Sequence, residues 1–151
     1  MFFTAYSIVF IISAILVAHI IAPREYKWRE NTISELAAQK YKYRMVMQIG
    51  FIGFGVLLSA SVIHLWVFQS FQVKYLPILV YSISVLLSGF FSTAPFERDM
   101  DFSAKESKLH SFFAQIAGFS FSLGILGFFF YTEEISLKAV HFLFFLFVIG
   151  V

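Results

Sequence analysis

From residue 2 to residue 22 the chain carries no Lys, Arg, Asp or Glu. This feature constrains the fold most, because four later runs nearly repeat it. A helix crossing a ~30 Å hydrocarbon core needs roughly 20 mostly apolar residues. Such runs cover about residues 3–22, 45–68, 75–94, 109–131 and 135–151. Each is continuously apolar, whereas the strands of a membrane β-barrel would alternate. The prediction is an all-α, polytopic transmembrane helical bundle with five spans. Composition agrees. The chain is 60% hydrophobic and 13% charged, against about 45–50% and about 25% in a soluble domain. A globule of that composition cannot cover itself with polar groups, and lipid removes the need. No repeat or linker interrupts the 151 residues, so one domain over residues 1–151 is expected.

The first run is no secretory signal, which would open with a basic region; it is read as a retained span. Pro23 and Arg24 close it. Pro77 falls in the first turn of the third run, where a missing N–H does little harm. The fifth run is still apolar at Val151 and lacks a closing polar anchor, so the natural chain is expected to continue. A net charge of +2 is too small to indicate nucleic acid. The absence of Cys excludes disulfides and thiolate metal sites.

Basic residues in short loops set orientation. The first loop holds Arg24, Lys27, Arg29, Lys40, Lys42 and Arg44, and the third holds Arg98, Lys105 and Lys108. Only Lys74 and Lys138 of the 11 Lys and Arg fall elsewhere. The first and third loops are therefore expected in the cytoplasm and the N-terminus outside. The expected location is a prokaryotic cytoplasmic membrane.

Few residues offer chemistry. Thr32 and Glu35 have capping-box spacing, which predicts a short interfacial helix with Ile33, Leu36 and Ala37 on one face. Helix capping is the plain role for Glu35, and a carboxylate on the cytoplasmic rim is the sharper one. The third loop alternates Glu97, Asp99 and Asp101. Such spacing is usual in a solvated loop; it also suits a hard cation, making Asp99, Asp101 and His110 the metal candidates. His110 shares a helical face with Ala114, Ala117 and Phe121, so it is expected to point into the bundle. An ionisable group there is a functional candidate by default, and a packed, hydrogen-bonded His is its plain counterpart. Small residues mark helix contacts: Gly50, Gly53, Gly55 and Ser59; Ser84, Ser88 and Gly89; and Gly118, Ser122, Gly124 and Gly127. No zincin, nucleophile-elbow or Walker motif is present.

Four stretches carry a resemblance: residues 33–39 (ISELAAQ), 47–55 (MQIGFIGFG), 91–96 (FSTAPF) and 110–119 (HSFFAQIAGF). In order and spacing they resemble the uncharacterised membrane family known as domain of unknown function 998, over about residues 30–131. The resemblance implies six helices, hence a sixth span missing here. It also implies a Pro-containing motif after the third span and a His opening the fourth, positions that Pro95 and His110 occupy. It implies no activity.

The leading expectation is a non-enzymatic bundle acting through lipid or protein contacts, as an accessory subunit of a membrane complex. Its partners would be membrane lipids and other membrane subunits, with no cofactor and no nucleic acid. One alternative is an intramembrane hydrolase or lipid-modifying enzyme using His110, Asp99, Asp101 and Glu35. Alkaline-ceramidase-like hydrolases combine Ser, His and Asp similarly, but no paired-His motif is present here. Another alternative is a small transporter, weakened by the lack of mid-membrane charge and of a broken helix.

Overall fold

The computed structural model describes residues 2–95 and 101–150. Five helices form: α1 (Phe2–Ile20), α2 (Arg44–Phe68), α3 (Leu76–Phe90), α4 (Ala104–Tyr131) and α5 (Ile135–Gly150). Helix α3 is entered through a 3-10 turn, Val73–Tyr75. The first four helical segments are long and apolar enough to cross a membrane. The fifth has 16 residues, about 24 Å at ~1.5 Å per residue, and is shorter than a standard span. Among the described residues the fold is thus a helical membrane bundle with four helices of spanning length and a shorter fifth.

Each helix packs chiefly on its neighbours in the chain, α1 on α2, α2 on α3, α3 on α4 and α4 on α5. Much of the apolar surface faces outward. Only 11% of the apolar stretch of α1 is buried, and Phe68, Phe119, Phe130 and Phe147 lie exposed. The buried apolar cluster sits at the first-loop end of the bundle. It joins Ala18 of α1 and Met47 and Phe51 of α2 to Tyr26, Leu36 and Ala37 of the loop.

Small residues set some helix spacings. A Cβ on Gly55 would lie 2.5 Å from Leu86 Cβ and 2.6 Å from the Ser82 carbonyl of α3, so α2 and α3 touch backbone to backbone. Gly50 and Gly53 admit Ala14 and Phe10 of α1, and Gly124 admits Ile78 of α3. Gly118 and Gly127 meet nothing within 4 Å. Contrary to expectation, they mark no contact among the described residues.

Three boundaries differ from the sequence reading. The third span stops at Phe90 rather than Ala94, because residues 91–95 are not helical. The fourth helix starts at Ala104, ahead of its apolar run. The interfacial helix is a five-residue 3-10 helix, Ile33–Ala37. It buries Leu36 and Ala37 and leaves Ile33 exposed.

Candidate functional site

The first and third loops meet at one end of the bundle. Residues 92–94 are non-helical, and side chains and backbone from elsewhere in the chain take up several of their polar groups. The Ser92 N–H donates to Glu106 Oε1 at 2.8 Å, and the Ala94 N–H to Ser107 Oγ at 3.2 Å. The Thr93 carbonyl accepts from the Gln39 N–H at 3.0 Å. Gln48 Nε2 donates to Ser92 Oγ at 3.2 Å.

Gln39 is the hub. It is 5% exposed. Its Nε2 donates to the Ser92 carbonyl at 3.2 Å and to the Ser103 carbonyl at 3.0 Å. Its Oε1 accepts from the Ser103 N–H at 2.8 Å. Ser103 is the N-cap of α4, and its Oγ accepts from the Glu106 N–H at 3.3 Å. In a capping box the third-position Glu would bind the N-cap N–H itself. Here Gln39 serves that N–H, and the Glu106 carboxylate is free to hold Ser92. Glu106 and Gln39 were not singled out from the sequence. Ser103-Ala104-Lys105-Glu106 has capping-box spacing, a signal that would have found half of the arrangement.

His110 is 3% exposed and points into the bundle. Its Nδ1 lies 2.9 Å from the Ser88 carbonyl and 2.8 Å from the Phe91 carbonyl. Both partners only accept, so Nδ1 carries a proton and donates to both. His110 thereby caps the C-terminal end of α3, where carbonyls lack helical partners. In the neutral ring Nε2 is then an acceptor. It has no partner among the described residues. Nor is it sealed off, since the one buried side-chain N or O without a partner among those residues is His141 Nδ1.

Nε2 is reached from an open cleft of about 390 Å³ lined by Thr32, Ser34, Thr93, His110, Ser111 and Gln115, with Ala114. A second cleft of about 340 Å³ adjoins it, and Ser34 and Ala114 line both. Its walls are mostly apolar, with Ile11 and Ile15 of α1, Phe54 of α2, Val85 of α3 and Ala117 of α4. Together they form a groove between α1 and α4, polar at the rim and apolar deeper in.

The other candidates fall apart from this groove. The Glu35 carboxylate accepts from the Thr32 N–H at 2.8 Å, so it caps its own turn and does not line either cleft. Asp101 is exposed and has no hydrogen-bond partner among the described residues. Asp99, Glu97 and Arg98 lie outside the described residues. Among the described residues no three His, Cys, Asp or Glu side chains come together as a metal-ligand group.

Around the clasp, Tyr26 and Tyr41 hold the first loop. Tyr41 OH donates to the Ile21 carbonyl at 2.9 Å, just past the end of α1. Burial, and secondarily the Glu35 carboxylate, raises the Tyr26 phenol above its ordinary value.

Comparison with known proteins gives one finding. A family model described as "Protein of unknown function (DUF998)" matches residues 6–151. No curated protein and no solved structure matches the chain.

Proposed function

Because this chain belongs to the DUF998 family, whose description assigns no function, we propose from its rim chemistry that it acts through lipid contact and not through turnover. One observation carries this reading: His110 Nδ1 and the Glu106 and Glu35 carboxylates are spent on structure, and no described Asp or Glu lines the cleft that His110 shares. His110 Nδ1 caps α3, Glu106 holds Ser92, and Glu35 caps the first-loop turn. The outward-facing Phe surface and the groove between α1 and α4 offer lipid both a wall and a recess.

The clasp end is the cytoplasmic face in this reading, with the N-terminus outside. Hydrogen bonds between Gln39 and Ser103 bring the first and third loops to one end. Most of the Lys and Arg in the chain lie in those two loops, as cytoplasmic loops require. A second reading adds partner subunits. It is favoured by Gly118 and Gly127, where nothing within 4 Å covers the α4 backbone.

Native mass spectrometry of the full chain, released from its membrane in mild detergent, tests the proposal. Retained lipid, with no turnover of acyl esters or amides, is expected. Ester or amide hydrolysis that His110→Asn abolishes would overturn it. A Lys105→Cys variant should react with an impermeant thiol reagent only from the cytoplasmic side.

A further inference from the structure

We propose that the groove between α1 and α4 binds one single-chain, uncharged amphipath with a hydroxyl-bearing head, the chemistry of a monoacylglycerol. The inference rests on the reading of lipid contact and gives that contact a site and a ligand class.

The head group follows from the rim. His110 Nδ1 is committed to two carbonyls, so the Nε2 of the neutral ring accepts and calls for a donor. The side chains of Ser34, Thr93, Ser111 and Gln115 line the same cleft, and none has a hydrogen-bond partner among the described residues. A hydroxyl both donates and accepts, so it satisfies His110 and these neighbours together. A carbonyl-only head cannot donate to Nε2. A charged head finds no counter-charge among the described residues, because no described Asp, Glu, Lys or Arg lines either cleft. Desolvating an unpaired charge beside apolar walls is strongly unfavourable.

The tail follows from the deeper cleft. Its walls are aliphatic and aromatic. Its volume of about 340 Å³ sits near the low end of the ~300–1,000 Å³ range of ligand pockets, which suits one chain better than two. Polar rim and apolar recess meet at Ser34 and Ala114, so a molecule with its head at His110 has its tail beside Ile11 and Ile15.

The test titrates the purified full chain in detergent with monoolein, methyl oleate and oleate, read by native mass spectrometry. Monoolein is expected to bind one per chain, and the other two about tenfold more weakly, the size of one well-made hydrogen bond. Two variants probe the site. His110→Asn keeps a donor where Nδ1 stands and removes Nε2. It should weaken monoolein binding about tenfold and leave the melting temperature of the lipid-free protein unchanged. Ala114→Leu fills the junction of the two clefts. Ala114 is exposed, so this variant should fold and lose monoolein even if His110→Asn does not fold.

Monoolein binding no tighter than that of methyl oleate would overturn the proposal, as would binding that neither variant changes. In either case lipid retained by the wild-type chain would leave the broader reading standing. Loss of all retained lipid would remove both.

Discussion

The carboxamide of Gln39 pairs with both backbone groups of Ser103, giving 3.0 Å to the carbonyl and taking 2.8 Å from the N–H. A first-loop side chain thus completes the N-terminal cap of a helix 64 residues away. Removing it would leave the carbonyl of the buried Ser92 without this donor and the N–H of the exposed Ser103 without its cap. An unsatisfied buried group costs about 1–3 kcal/mol. Gln39→Ala should therefore lower stability by a few kcal/mol, read as a fall in melting temperature in detergent. A change within ~0.5 kcal/mol would show that water fills the gap.

His110→Ala and His110→Asn should differ. The alanine variant leaves the Ser88 and Phe91 carbonyls without their donor and should cost about 1–3 kcal/mol. The asparagine variant retains a donor at that distance from Cα and should melt close to the wild type. Equal melting temperatures for the wild type and both variants would mean that the cap contributes nothing.

Gly55 and Gly118 make a matched pair. Alanine at 55 would drive a methyl into the Ser82 carbonyl and the Leu86 backbone, and overpacking of this kind costs about 1–3 kcal/mol. Alanine at 118 meets open space and should be neutral or stabilise by up to about 1 kcal/mol through helix propensity. Thermal melts of the two variants check the contrast. If both behave alike, α2 and α3 are not in backbone contact.

The Tyr26 phenol gives a pH signature. Its folded-state value is raised by burial first and by the Glu35 carboxylate second, above an ordinary 10.0. Folding therefore favours the protonated form. The associated stability is fully present below pH 10 and is lost as pH rises through the folded-state value. Tyr26→Phe should flatten the alkaline limb of a stability-versus-pH curve above the ordinary phenol value of 10.0. Parallel limbs in the two proteins would dismiss this coupling.

The spans were legible because an apolar run is local information. Helix α2 was expected over 45–68 and runs from Arg44 to Phe68. The ends of α3 and α4 were not legible, for one shared reason. Residues 91–95 look apolar enough to continue a span, but their backbone is bound by Gln39, Glu106 and Ser107, partners far off in sequence. The first turn of α4 is polar and precedes its apolar run, so hydropathy passes over it while Ser103 and Glu106 start the helix. His110 was found because a His among small residues is conspicuous. That it caps α3 required knowing where α3 stops. The groove was invisible for a similar reason. Its rim draws Ser34 from one loop, Thr93 from another and Ser111 from a helix, and no spacing along the chain links them.

The Gln39 clasp also has a consequence in time. A ribosome makes the first loop well before it makes Ser103. Until Ser103 is made, the Gln39 carboxamide has only the Ser92 carbonyl to bind, and the end of α3 has neither Glu106 nor His110 to close it. The first three helices must wait with that end open. The fourth does more than add a helix: its first two turns lock what was made before it. A chain halted before residue 103 should therefore remain a set of helices without that latch.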